Sequence, residues 1–313
     1  MLNKVAVIGA GFVGSTTAQR IAEKELSKEV WILDINEGAA KGKALDMYES
    51  APVEGFDSAV YGTSSYDDIA NCDMVIMTAG IPRKPGMSRD DLLNTNANIM
   101  KSCMEEVKRT SPNAMVIIVS NPLDAMVWLA KRILSDFPSN KVFGMAGVLD
   151  SARYRSFIAM ETGASVEDIH AFVLGGHGDT MVPVPQYSTI AGIPIAQFMS
   201  QEKIDAIIER TKGGGGEIVK HLKTGSAYYA TSSAVVEMVR SIVMDKKKIL
   251  PVAAELHGEY GIDGLYLGVP AILGKNGIEK VVEVELNDKN KADLQNSVDA
   301  VKGLVDTLIG MGF

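Results

Sequence analysis

Gly9-Ala10-Gly11-Phe12-Val13-Gly14 is a GxGxxG run set between an apolar stretch, Val5–Ile8, and a helical one, Phe12–Lys24. That setting gives an otherwise weak pattern its meaning. The first glycine permits a tight turn and the second lets backbone approach a pyrophosphate. The third allows close helix–strand packing, and the bound charge rests on the positive helix N-terminus. Asp34 follows Gly14 by twenty residues, at the end of the next apolar run. A carboxylate there accepts hydrogen bonds from both adenosine ribose hydroxyls and repels a 2′-phosphate, which points to NAD rather than NADP. A second cluster, Gly80–Arg89, places Arg83, Lys84 and Arg89 on a loop with two glycines and two prolines. Guanidinium groups there suit carboxylate capture, and a solvated basic turn is the alternative. His177 sits in Gly175-Gly176-His177-Gly178-Asp179, where small neighbours leave its ring accessible. It reads equally as an acid–base or a structural histidine. Asp150 and Arg153 are three residues apart, a spacing that also suits a local ion pair.

The elements that must position these groups alternate. Strands are predicted at Val5–Ile8, Val30–Leu33, Ala59–Tyr61, Met74–Thr78, Met115–Val119 and Val142–Met145. Helices are predicted at Phe12–Lys24, Glu37–Glu49, Asp91–Arg109 and Leu123–Leu134. In the second of these, Ala40, Ala44, Leu45 and Tyr48 share the predicted apolar face. Such alternation implies right-handed crossovers and a doubly wound parallel sheet. After residue 146 the pattern becomes mixed. A helix is predicted at Ser151–Thr162 and a strand at Ile169–Leu174. Further helices are predicted near Glu202–Lys223 and Tyr228–Val243, short strands between Ile249 and Val284, and a final helix at Lys291–Ile309. The division expected is a Rossmann domain over 1–145 and a mixed α/β substrate domain over 146–313, with no linker between them. The four glycines Gly213–Gly216 read as a kink or break in a long helix.

Composition excludes several classes. The 313 residues carry 31 Lys+Arg against 39 Asp+Glu, a net charge of −8, which argues against a nucleic-acid partner. Two cysteines, Cys72 and Cys103, have no metal-ligand spacing around them and cannot form a disulfide framework. No metal site is expected. No apolar run approaches the length of a membrane helix. The first residues lack a basic n-region and a long apolar h-region, so no signal peptide is read and a cytoplasmic location is expected. Neither a GxxxxGK[ST] loop nor a GxSxG elbow is present. His170, His221 and His257 have ordinary surroundings and read as structural or exposed.

Together the motifs resemble the lactate/malate dehydrogenase superfamily, most closely its lactate-dehydrogenase-like malate dehydrogenases of bacteria and archaea. The resemblance spans essentially the whole chain. It rests on GAGFVG (Gly9–Gly14), AGIPRKPGMSR (Ala79–Arg89), VSNPLD (Val119–Asp124), GMAGVLDSARYR (Gly144–Arg155), GGHGD (Gly175–Asp179) and YGIDGLYLGVP (Tyr260–Pro270). It implies that His177 is the acid–base histidine and Asp150 its carboxylate partner. It makes Arg153 the clamp on the substrate C1 carboxylate, Arg89 the lid arginine at the C2 oxygen, and Arg83 the specificity position. Asn121 would contact substrate and nicotinamide ribose. Asn96, Val119 and Ser120 fall at cofactor-contacting positions, with Ala10, Phe12 and Val13 in the glycine loop. Ser226 matches a pocket position.

The resemblance further implies malate and oxaloacetate as substrates, a place in the tricarboxylic acid cycle, and a homo-oligomer, a tetramer ahead of a dimer built through Glu37–Glu49. Arg83 carries the substrate expectation. A buried guanidinium pairs with the second carboxylate of oxaloacetate and is left unpaired against the methyl of pyruvate. The alternatives are a lactate or other 2-hydroxyacid dehydrogenase and a catalytically inactive dinucleotide-binding protein. Thr231, where relatives often have proline, and the glycine run depart from the pattern. Both are expected to lie away from the catalytic motifs.

Overall fold

The structure is a computed structural model that describes residues 1–82 and 88–313. The first half runs β1 (Leu2–Ile8), α1 (Phe12–Glu23), β2 (Ser27–Leu33), α2 (Glu37–Glu54), β3 (Ala59–Thr63), β4 (Met74–Met77), α3 (Arg89–Thr110), β5 (Met115–Ile118), α4 (Leu123–Ile133) and β6 (Val142–Gly144). The second half runs α5 (Gly147–Thr162), β7 (Ile169–His170), β8 (Val173–Leu174), β9 (Val182–Pro183), β10 (Thr189–Ile190), β11 (Ile193–Pro194), α6 (Gln201–Leu222), α7 (Tyr229–Val243), β12 (Lys248–His257), β13 (Asp263–Gly274), β14 (Gly277–Val281) and α8 (Asp288–Gly310).

Among the described residues nine strands form one sheet, in the order β14-β13-β12-β6-β5-β4-β1-β2-β3. The six strands of the first half are parallel, with Ile8 paired to Leu33 on one side and to Met77 on the other. The chain therefore reverses its winding between β1 and β4, and a crevice opens beyond their carboxyl ends. Alternation along β1 sends Val5 and Val7 into one core and Ala6 and Ile8 into the other, so helices cover both faces. β4 and β5 are buried at every residue, as their unbroken apolar sequence requires.

The second half departs from its sequence reading in three places. The short strands expected after Ile249 are mostly one long antiparallel hairpin, β12–β13. It joins β6 through Ala253 and Gly144 and so continues the sheet of the first half. The strand read over Ile169–Leu174 is two short pieces, paired with different partners. α6 runs unbroken through Gly213–Gly216 rather than kinking there. Its backbone bonds persist because the helix packs on α5 and buries Ile204, Ile207, Ile208 and Thr211.

In the first half, α2 runs past Glu49 to Glu54. Pro52 lies in its last turn, where it forgoes one backbone bond, and Gly55 ends the helix at φ 80°. Ala40 and Ala44 are buried as expected. Leu45 and Tyr48 are instead exposed, at 58% and 50%, because the face against β3 is formed by the alanines. Among the described residues no helix is long and apolar enough to cross a membrane.

Candidate active site

The crevice is shaped by its glycines. Gly14 lets α1 start against the loop: a Cβ there would stand 1.9 Å from the Gly9 carbonyl oxygen. Gly9 holds φ 106° and meets Thr78, whose hydroxyl donates to the Ile8 carbonyl at 2.9 Å and ties β4 to β1. Gly11 faces open space and begins α1 without any side-chain cap. Backbone N–H groups there are free to meet a pyrophosphate. Asp34 is turned back on the loop: Oδ2 accepts the Ala10 N–H at 2.7 Å and Oδ1 the Asn36 N–H at 2.9 Å. Phe12 is exposed and stacks on Tyr228, and the Val13 carbonyl accepts the Ser232 hydroxyl at 3.0 Å, which seats α7 against α1. An open loop, an uncapped helix and a strand-end carboxylate fit a dinucleotide.

The ends of β4 and β5 are stapled together. Asn96, buried on α3, accepts the Ile81 N–H at 2.9 Å and donates to the Asn121 carbonyl at 2.8 Å. Its amide also donates to the Ile81 carbonyl, so the side chain holds the loop rim from behind. Ser120 donates to the Ala79 carbonyl, Val119 is buried, and Asn121 is left exposed at the rim. A capping box sets the start of α3: Ser88 Oγ accepts the Asp91 N–H at 3.0 Å, and Asp91 accepts the Ser88 N–H at 3.0 Å. Arg89 is therefore the first helical residue, exposed at the rim. Arg83 lies outside the described residues.

Across the crevice α5 and the loop after β8 bring three of the expected residues together. Asp150 is 1% exposed, and its two oxygens serve two partners. Oδ2 lies 2.8 Å from His177 Nδ1, and Oδ1 accepts from Arg153 Nη1 at 3.2 Å. A carboxylate can only accept, so Nδ1 carries the proton and Nε2 is left for chemistry. Burial alone would push the His177 pKa down. The charge and hydrogen bond of Asp150, with a smaller pull from Asp124, outweigh it, and the net direction is upward from the ordinary value. The ion pair with Arg153 and the pairing with His177, both expected from sequence, thus coexist on one carboxylate.

Two contributions were missing from the sequence reading. Asp124, in the first turn of the apolar helix α4, accepts the His177 backbone N–H at 2.8 Å through Oδ2. An acid buried among Leu123, Ala125, Met126 and Val127 was the available signal. The glycine run, expected away from the site, lies against it. A Cβ on Gly214 would stand 3.2 Å from Arg153 Cδ, and one on Gly215 would stand 3.7 Å from its Nη2. Thr231, by contrast, is buried in the first turn of α7 and donates to the Ala227 carbonyl at 3.1 Å. Ser226 is exposed in the turn before α7.

A doubly wound sheet with an open glycine loop at its switch point, joined to a half that carries a carboxylate-backed histidine, defines a nicotinamide-dinucleotide dehydrogenase. Comparison with known proteins narrows the class. The NAD-binding domain model of lactate/malate dehydrogenase matches residues 3–144, and the α/β C-terminal domain model of the same family matches residues 147–308. The chain belongs to the lactate/malate dehydrogenase family, and its first half is the family's NAD-binding domain. It is 54% identical over 308 residues to a malate dehydrogenase of Roseiflexus castenholzii, covering 98% of this chain and 99% of that relative. The structure of malate dehydrogenase from Salinibacter ruber superposes with a TM-score of 0.94 at 48% identity, over 98% of each chain. A Cryptosporidium parvum lactate dehydrogenase, bound to lactic acid and nicotinamide adenine dinucleotide, also gives 0.94, at 42% identity and 98% of each chain. Equal superposition on both activities means that the fold alone does not select the substrate.

Proposed function

We propose that this chain is an NAD-dependent malate dehydrogenase that interconverts (S)-malate and oxaloacetate. The observation that carries the chemistry is Asp150 held between His177 and Arg153. When bound, the nicotinamide supplies the hydride acceptor or donor. In oxidation, neutral His177 takes the C2 hydroxyl proton at Nε2. Asp150 fixes the tautomer and stabilises the imidazolium that forms. In reduction the imidazolium returns that proton to the C2 oxygen. Arg153 binds the C1 carboxylate, with Asp150 holding its guanidinium in place until substrate arrives. Arg89 stabilises charge on the C2 oxygen, and Asn121 contacts substrate and the nicotinamide ribose. On the cofactor side, Gly9–Gly14 bind the pyrophosphate and Asp34 the adenosine ribose. Asn96, Val119 and Ser120 would also contact the cofactor.

Malate is favoured over lactate by Arg83 and by the 54% identity to a relative named malate dehydrogenase. The same reading assigns cofactor binding to residues 1–145 and substrate binding to 146–313. It places the enzyme in the cytoplasm, in the tricarboxylic acid cycle, as a homo-oligomer, a tetramer ahead of a dimer. Leu45, Tyr48 and Val53, exposed along α2, support self-association. Steady-state assays crossing oxaloacetate and pyruvate with NADH and NADPH test the activity. Preference for oxaloacetate with NADH is expected, and a preference for pyruvate would replace malate by lactate.

A further inference from the structure

The loop that carries His177 is pinned at three consecutive backbone amides by three different elements. Gly175 exchanges backbone bonds with Gly268 of β13 at 2.9 and 3.1 Å. The Gly176 N–H donates to Ser297 Oγ of α8 at 2.7 Å, and the His177 N–H donates to Asp124 Oδ2 of α4 at 2.8 Å. Only the last of these anchors is ionisable. Asp124 is 4% exposed, and its other oxygen, Oδ1, is buried with no hydrogen-bond partner among the described residues. A structural acceptor for one N–H could be a serine, as Ser297 is one position earlier. A buried carboxylate with one oxygen unsatisfied is a costly way to make the same bond.

We propose that Asp124 is a positioning residue for the catalytic histidine, a second carboxylate that fixes the His177 main chain while Asp150 fixes its ring. The inference rests on the acid–base role of His177 proposed above. Among the described residues, the charged groups acting on the imidazole are Asp150 and Arg153 from α5 and Asp124 from α4. β13 contributes only a peptide group and α8 only a hydroxyl to the loop. Asp124 is therefore the one anchor whose charge favours the imidazolium, and it enters from the half of the chain that binds the cofactor. Burial pushes its own pKa up to about 6, against the pull of the His177 N–H, so it is charged at neutral pH and neutral in mild acid.

Two variants separate geometry from charge. Asp124→Asn keeps an oxygen to accept the His177 N–H and removes the charge; Asp124→Ala removes both. For Asp124→Asn, the pH at which kcat/KM for oxaloacetate begins to fall should move down by about one unit, because the imidazolium loses a favourable charge. At pH 8 this is roughly a tenfold loss in reduction. The rising limb for malate oxidation should move down equally, with NADH binding unchanged. Melting temperature at pH 8 should not fall, since a buried charge has been removed. Asp124→Ala should lose at least a further tenfold in kcat. Parent-like pH limbs in both variants, whatever their melting temperatures, would reduce Asp124 to a structural acceptor and overturn the proposal. His177→Asn is the control for the underlying reading. If it binds NADH but its turnover is down by orders of magnitude, the acid–base role stands and the Asp124 result is judged on its own. Parent-like turnover in His177→Asn would overturn the acid–base role itself, and the Asp124 proposal with it.

Discussion

Ala substitution along Gly213–Gly216 should separate stability from activity within a single turn of helix. All four glycines lie inside α6, where each costs about 1 kcal/mol relative to alanine. Their surroundings differ. A Cβ on Gly213 or Gly216 meets nothing within 4 Å, whereas one on Gly214 meets Arg153 Cδ at 3.2 Å. Gly213→Ala and Gly216→Ala should therefore gain about 1 kcal/mol each. With an unfolding entropy of roughly 2.1 cal/mol/K per residue, that is a rise of about 1.5 °C in Tm for a chain of this length. Gly214→Ala gains the same helix propensity but must push the Arg153 stem back by a few tenths of an ångström. Arg153 is already held on its other side by Asp150 at 3.2 Å, so the shift passes to the guanidinium proposed to bind the substrate carboxylate. A misplacement of about 1 Å can cost a hundredfold, so one of a few tenths should cost roughly three- to tenfold in kcat/KM. Most of that should appear as a raised KM for oxaloacetate. The assays are thermal unfolding and steady-state kinetics on the three variants side by side. Equal kinetics for Gly214→Ala and Gly213→Ala would refute the idea that the glycine run makes room for the arginine.

Asp34→Ser should narrow the preference for NADH over NADPH, read as the ratio of kcat/KM values, and weaken NADH binding too, because Asp34 also holds the Ala10 N–H. An unchanged ratio would remove Asp34 from cofactor choice. If Arg83 pairs with the second substrate carboxylate as proposed, Arg83→Gln should lower kcat/KM for oxaloacetate by about two to four decades, the loss expected when removing one partner of such a pair costs ~3–5 kcal/mol. Pyruvate should improve, and equal losses for both keto acids would assign Arg83 to loop support instead. On the proposed mechanism, reduction needs the imidazolium and oxidation the neutral ring. Since His177 is shifted upward from 6.5, kcat/KM for oxaloacetate should fall, and that for malate rise, each through an inflection above that value. Profiles that do not run in opposite senses would point to a different proton carrier.

The parts legible in the sequence were those that one local rule determines. Apolar runs flanked by turns marked the strands, and β4 and β5 are buried on both faces as their composition required. The GxGxxG spacing placed the turn between β1 and α1 and the acid at the end of β2. What escaped depended on contacts between distant segments. Leu45 and Tyr48 fit a helical stripe with Ala40 and Ala44, yet only the alanines are small enough to meet β3 closely. Gly213–Gly216 suggest a kink or break on propensity alone, whereas packing on α5 keeps α6 helical.

Asp124 shows the same limit within the site. It was visible as the last residue of the VSNPLD motif, but its partner is 53 positions away and is a backbone N–H rather than a side chain. No side-chain pattern marks such a bond, because any residue but proline at position 177 would present that N–H. The structure supplies what the pattern lacks: the α4 N-terminus, set by β5, faces the loop that β13 and α8 hold from the other sides. The His177 loop is thus anchored at the seam where the two halves share one sheet. On the proposed mechanism, a change at Asp124 of α4 should accordingly be felt first in the proton chemistry of His177 and only second in binding.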